Sequence, residues 1–239
     1  MPDLRALQNC GISQMNDLNK KAFSGLFRLI IIVSLMIFLP AWTLDYWQAW
    51  IFLSLFFLCV FAITFYLMKK DPKLLERRIK AGSAAENRKS QKVIQFLASI
   101  SFVSTFILSS IDHRLAWSQV PVYLVLGGDI FVVLGLLFVF FVFRENSFAS
   151  ATIEIGAQQT LVSTGPYSLI RHPMYLGAFV MLLGLPAALG SAWGLLAVIP
   201  IMLVIVWRLI DEERFLIKNL PGYGAYQEKV KYRLLPFVW

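Results

Sequence analysis

Apolar residues run through this chain in long unbroken blocks, and polar residues gather between the blocks instead of alternating with them. Neither the three-to-four period of an amphipathic helix nor the two-residue period of a half-buried strand describes such a pattern. The blocks 26–44, 47–68, 93–111, 120–143, 174–189 and 193–209 approach or reach the roughly 20 residues needed to cross hydrocarbon about 30 Å thick. They predict an all-α, polytopic integral membrane protein with about six transmembrane helices, the fifth of them short. Only Gly190 and Ser191 stand before Trp193, so the last two blocks are expected to form a tight hairpin. Pro186 and Gly190 would make its turn, and small residues would let its helices pack closely. Residues 1–21 are polar and the first block lacks a small-residue cleavage site, which argues against a removable leader.

Composition sharpens the picture. A chain of 239 residues that is 58% hydrophobic and 15% charged, with mean hydropathy +0.68, is not a water-soluble globule. Cys10 and Cys59 are too few for a disulfide framework and lack metal-binding spacing, so no metal is expected. The net charge of +8 does not point to nucleic acid, because the basic residues lie between apolar blocks and not along one exposed stripe. The connection at 69–92 holds Lys69, Lys70, Lys73, Arg77, Arg78, Lys80, Arg88, Lys89 and Lys92, whereas the turn after the first block holds Asp45 and no basic residue. Lys and Arg accumulate on the cytoplasmic side. Six crossings then put both termini and the 144–171 connection in the cytoplasm as well. Trp42, Trp47, Trp50, Trp117 and Trp193 fall near block ends, where interfacial aromatics belong.

The chemistry-bearing polar groups concentrate in residues 144–239, which divides the chain into a membrane-spanning half, 1–143, and a candidate catalytic region. In Arg171-His172-Pro173, proline suits the first position of a helix, so His172 reads as its cap. The N–H groups of Met174, Tyr175 and Leu176 would then face outward toward an anion, and Gly177 would let a ligand or backbone approach. Arg208 and Glu212 are four apart and share a helix face. They read either as a boundary site, with Arg208 offering a planar fork to a carboxylate or phosphate, or as an exposed surface pair. Tyr167, Tyr175, Tyr223 and Tyr226 suit either the site or a headgroup-level belt. Asp112, His113 and Arg114 are expected to form a solvated loop on the far side.

Gly165-Pro166-Tyr167, Arg171-His172-Pro173-Met174-Tyr175, the 208–213 stretch and Tyr223-x-x-Tyr226, in this order, resemble the isoprenylcysteine carboxyl methyltransferase family, whose C-terminal pattern the phospholipid N-methyltransferases largely share. The resemblance covers the last two fifths of the chain. It implies a helical membrane fold and S-adenosylmethionine as cofactor, held on the cytosolic side by Gln159, Thr160, Leu161, Val162, Tyr167, His172, Pro173, Met174, Tyr175 and Glu212. It also implies a catalytic, acceptor-orienting role for Arg208. The family often has histidine where Gln159 stands, and residues 1–143 carry no specific resemblance.

The implied substrate is a lipophilic small molecule, methylated on a carboxyl group in the isoprenylcysteine manner. A carboxylate acceptor needs orientation and desolvation. An amine acceptor, as in a phospholipid headgroup, arrives protonated and needs a base, for which Glu213, Glu145 and His172 are candidates. A sterol-type membrane reductase binding NADPH and a non-enzymatic scaffold or transporter are the rival readings. The absence of a hydropathy repeat, and of ionisable residues at mid-depth other than Asp129, weighs against a transporter.

Overall fold

The computed structural model describes residues 4–86, 88–153, 155 and 159–239, with side chains described from Met15 onward. Among the described residues the regular structure is helical. It runs α1 (Leu4–Ala41), α2 (Trp47–Lys70), α3 (Pro72–Ile79), α4 (Lys89–Leu115), α5 (Val122–Glu145), α6 (Pro173–Ala188), α7 (Gly194–Asn219) and α8 (Tyr223–Lys229), with single 3-10 turns at Ser83–Ala85 and Gly165–Ser168. Met15–Ala41 within α1, together with α2, α4, α5 and α7, are long and apolar enough to cross a membrane. The expected fifth crossing, α6, is apolar but has 16 residues, about 24 Å of helix at 1.5 Å per residue. Phe27, Leu58 and Leu203 stay exposed on the outside of the bundle, apolar surface that lipid covers. The tryptophans at 42, 47, 50, 117 and 193 are exposed at helix ends, as interfacial residues are.

The closest packing of α6 differs from the expected hairpin contact. Gly128 and Gly135 on α5, and Gly177 and Gly184 on α6, are each seven residues apart and so lie on one helix face. A Cβ added to Gly128 would lie 2.3 Å from the Ala188 nitrogen, and one on Gly135 would lie 2.6 Å from the Gly177 carbonyl oxygen. Backbones meet directly along this seam, as small residues permit in a membrane. Gly177 therefore admits the backbone of α5 and not a ligand. The α6–α7 turn is tight, with Gly190 at φ +67 and Ser191 N–H donating to Pro186 O at 2.9 Å. The start of α7 presses instead on α4, where a Cβ on Gly194 would meet Ser109 Oγ at 2.2 Å.

At that end of the bundle the expected solvated loop is absent. Asp112 is fully buried and accepts hydrogen bonds from Ser118 N (2.8 Å), Ser118 Oγ (2.8 Å), Trp193 N (3.4 Å) and Ser191 Oγ. The helix runs past its apolar block, and Ala116 at φ 50 turns the chain back over the carboxylate. Tyr46 stacks on His113 at 3.7 Å and donates to Leu189 O at 2.6 Å. Of the three, only Arg114 is exposed.

α3 shows how the basic connection folds. Asp71 caps it by accepting from Leu74 N at 3.0 Å, with Pro72 at the first helical position. Leu74 and Leu75 bury against α1, α2 and α5. This fixes the face that carries Arg78, whose guanidinium reaches Ser150 O and Met174 Sδ at the other end of the bundle from Asp112.

Candidate functional site

A cavity opens where α6 begins and α7 ends. Its wall includes all ten residues expected to hold a cofactor: Gln159, Thr160, Leu161, Val162, Tyr167, His172, Pro173, Met174, Tyr175 and Glu212. Residues between 146 and 153, Phe148, Ser150 and Ile153 among them, and the α8 tyrosines, Tyr223 and Tyr226, close the remaining sides.

The start of α6 is held from outside by the chain's last segment. Ile170 pairs with Tyr232 in a single parallel bridge, so Arg171 N donates to Tyr232 O and His172 N to Arg233 O, both at 2.9 Å. His172 caps the helix through its backbone: its carbonyl accepts from Tyr175 N (3.1 Å) and Leu176 N (3.3 Å). Two of the three N–H groups expected to face outward are thus consumed within the first turn, leaving that of Met174. The His172 ring lies 3.3 Å from Glu213 and stacks on Tyr175.

Glu213 is a buried junction. Arg171 Nη1 and Arg233 Nε each approach it at 2.9 Å, besides His172. With both oxygens engaged by these donors, the carboxylate is badly placed to take a proton from a substrate. Glu145, the second candidate base, accepts from the Thr164 hydroxyl. Its side chain also sits where a Cβ on Gly165 would come within 2.8 Å, which is one reason glycine stands at that φ of +54.

Arg208 and Glu212 do not form a direct pair. The Tyr175 hydroxyl stands between them, accepting from Arg208 Nε at 3.1 Å and donating to Glu212 Oε2 at 2.6 Å. Arg208 is buried behind Tyr175 and is not among the residues lining the cavity. Its Nη1 donates to Gln95 Oε1 (2.6 Å), and its Nη2 to Glu86 Oε1 and Ala151 O (2.9 Å each). Glu86, 2% exposed, also accepts from Ile153 N at 3.2 Å through its other oxygen. Next along α7, Asp211 pairs with Arg88 at 2.9 Å and accepts from Gln91 Nε2.

Glu86, Gln91 and Gln95, together with Arg78, escaped the sequence reading. Arg78, Glu86 and Gln91 stand in a connection whose positive charge already had a topological explanation, and Gln95 stands at the start of the apolar block that follows it. A local sign was present, since Glu86 follows Ala84 and Ala85 in an otherwise basic stretch. Nothing in the sequence ties it to a residue 122 positions away.

Two buried donors on the cavity wall have no partner among the described residues: Arg171 Nε and the Tyr223 hydroxyl. Buried polar atoms are seldom left unpaired, and these two belong to residues of one cavity wall. Burial pushes the Tyr167 phenol up to about 12, with Glu212 and Glu145 adding to the rise and the Asn146 hydrogen bond opposing it. Burial raises Tyr223 and Tyr226 further in the same direction, helped by Glu213. All three stay neutral donors at physiological pH. Tyr226 donates to Tyr167 O at 2.7 Å, and Asn146 Nδ2 to Tyr167 Oη at 2.9 Å, so the wall is braced internally.

The phospholipid methyltransferase (PEMT) family model matches residues 123–222. That stretch contains α5, the 146–172 segment, α6 and α7, and leaves Arg78, Glu86 and Gln95 outside it. The chain is 28% identical over 131 residues to the cobalt-zinc-cadmium resistance protein CzcN of Cupriavidus metallidurans, covering 53% of this chain and 57% of that one. It is 32% identical over 71 residues to the nickel-cobalt-cadmium resistance protein NccN of Alcaligenes xylosoxydans xylosoxydans, covering 29% and 33%. The chain thus spans little more than half the length of one of these curated relatives and a third of the other. The resemblance read from the C-terminal motifs is matched by this finding: residues 123–222, about two fifths of this integral membrane protein, are similar to the phospholipid methyltransferase family, to which the isoprenylcysteine carboxyl methyltransferases are akin.

Proposed function

We propose that this protein uses S-adenosylmethionine to methylate a lipidic or prenylated acceptor at the cytoplasmic edge of the membrane. The observation that carries the reading is the cavity: all ten residues expected to hold the cofactor line it, and two buried donors on residues of its wall lack acceptors among the described residues. Those donors, Arg171 Nε and Tyr223 Oη, suit a cofactor that brings a carboxylate. Glu212, oriented by the Tyr175 hydroxyl, suits ribose hydroxyls or an amino group. S-adenosylmethionine, when bound, supplies a methyl group on a positively charged sulfur. The chain's part is to orient the donor and acceptor and to exclude water, which is most of what an in-line displacement requires.

The topology that goes with this reading has six crossings, α6 and α7 forming a hairpin, and both termini in the cytoplasm. Its support is the charge asymmetry of 69–92, joined to the fact that Arg78 and Glu86 of that connection touch the cavity's own frame. Carboxyl O-methylation of isoprenylcysteine type remains one acceptor chemistry. Headgroup N-methylation is the second, favoured by one observation: four of the donor contacts an acceptor carboxylate would seek from Arg208 are already made to protein groups.

The test is thermal stability of the detergent-purified protein with S-adenosylhomocysteine or NADPH, beside transfer of labelled methyl to membrane lipid and prenylcysteine fractions. S-adenosylhomocysteine is expected to raise the melting temperature by mass action and NADPH to leave it unchanged. Glu212→Ala is expected to weaken cofactor binding by about 1.5–3 kcal/mol, the worth of one charge-assisted bond. A shift with NADPH alone would replace the methyltransferase reading by the reductase one.

A further inference from the structure

We infer that Arg78 of α3, and not Arg208, grips the oxyanion of the methyl acceptor, a phosphate or a carboxylate; this rests on the methyltransferase reading above. A guanidinium carries five N–H donors. Arg208 directs Nε to Tyr175, Nη1 to Gln95, and Nη2 to both Glu86 and Ala151, so one Nη1 hydrogen is left and no two-point fork remains for an incoming anion. Its charge is balanced by Glu86 at 2.9 Å. Arg171 is likewise matched by Glu213, and Arg88 by Asp211.

Arg78 is arranged differently. Its Nη1 donates to Ser150 O at 3.1 Å and approaches Met174 Sδ at 3.7 Å, two residues of the cavity wall. Its guanidinium lies 4.9 Å from the centre of the Phe143 ring. Among the described residues it makes no ion pair, and its Nε and Nη2 meet no protein acceptor. Burial and the neighbouring Arg208 charge both disfavour its cation, lowering it to about 10, with Tyr175 opposing. A half-buried cation facing a second cation is a place where an anion is missing. The amphipathic α3 lies beside the membrane-crossing helices, with Leu74 and Leu75 buried against them. A lipid held in the bilayer therefore presents its polar group at this level, while its methyl-accepting atom reaches the cavity. Planar two-point contact is what arginine offers a phosphate or carboxylate and lysine does not.

The experiment measures binding to the detergent-purified full chain of three amphiphiles: phosphatidylethanolamine, N-acetyl-S-farnesylcysteine and uncharged diacylglycerol. S-adenosylhomocysteine affinity is measured in parallel for wild type, Arg78→Gln and Arg78→Lys. Wild type is expected to hold one of the two oxyanion probes at least tenfold more tightly than diacylglycerol, and which one identifies the oxyanion. Arg78→Gln is expected to erase that preference, and Arg78→Lys to keep only part of it, with S-adenosylhomocysteine affinity within about twofold of wild type in both. No preference in wild type overturns the assignment. So does a preference that survives Arg78→Gln, or joint loss of lipid and cofactor binding, which would make Arg78 a brace of the cavity wall. Should Arg78→Gln not fold, an unreduced preference in Arg78→Lys overturns it equally. Turnover is not read here, so failure of the methyltransferase reading shows separately, as absence of S-adenosylhomocysteine binding by wild type.

Discussion

The two ends of the helical bundle each bury a carboxylate on the same pair of helices, α4 and α7 or the turns beside them, yet they are built to opposite purposes. Around Asp112 the donors are hydroxyls and backbone amides: Ser118, Ser191 and Trp193. They come from two turns that must meet, α4–α5 and α6–α7, and every contact closes the structure. Around Glu213, Glu212 and Glu86 the donors include three arginines, Arg171, Arg208 and Arg233, held on one side by the tail at 230–233 and on the other by the 77–95 region. Here a cavity remains, and among the described residues Arg171 Nε, Tyr223 Oη and Arg78 keep unspent donors near it. A buried charge is thus a poor guide to function on its own. What separates a clasp from a site is polar capacity left over beside open volume.

The sharpest way to break this contrast is Arg208→Ala. It leaves Glu86 buried without its partner, a loss of about 3–5 kcal/mol, and releases Tyr175 and the 151–153 wall together. Melting temperature is expected to fall, with methyl transfer reduced by at least about two orders of magnitude through lost positioning. A folded variant with normal turnover would reduce the Arg208 network to scaffolding.

Asp112→Ala tests the other end. Several donors lose their acceptor at once, so destabilisation of about 1–3 kcal/mol is expected. The shift produced by S-adenosylhomocysteine should persist undiminished. A cofactor affinity that fell with this variant would couple the two ends and dissolve the distinction.

Gly128→Ala probes the seam that joins them. Its Cβ would meet the α6 backbone at 2.3 Å, and overpacking of this kind costs about 1–3 kcal/mol. Since α6 begins at Pro173 in the cavity wall, its displacement along α5 should weaken cofactor binding as well as stability, which calorimetry on the folded fraction would register.

The smallest effect concerns pH. The Tyr167 phenol rises from 10.0 to about 12 on folding, so its neutral form contributes stability that is complete below pH 10 and is lost as pH climbs toward 12. Tyr167→Phe should therefore flatten the alkaline decline in melting temperature over that window while leaving the neutral region nearly parallel. An identical decline in both proteins would assign it to other groups.

His172, Pro173, Met174, Tyr175 and Glu212 were legible because they sit in compact local motifs at the start of α6 and the end of α7, whereas Gln159, Thr160, Leu161 and Val162 were reached only through the family resemblance. Helix-start chemistry and i,i+4 spacing speak through neighbouring residues. Asp112 misled because a polar triplet after an apolar block looks the same whether water or Ser191 receives it. The glycines at 128, 135, 177 and 184 were visible as small residues. Their partners were not, since a seam between helices depends on which faces rotate together.

Taken alone, then, the sequence determined that this chain lives in a membrane and that its regular elements are helices, and its motifs pointed to residues near 159–175 and 212, where the structure has a cavity. Block length and hydropathy act along the chain, so they need no tertiary partner to be read. Only the folded structure decided that α6 rides on α5, that Arg208 is committed to Glu86 and Gln95, and that Arg78 has no counter-ion among the described residues. Those are outcomes of pairing between charges more than a hundred residues apart, and in a dry interior each pairing removes a donor that local sequence would still count as free.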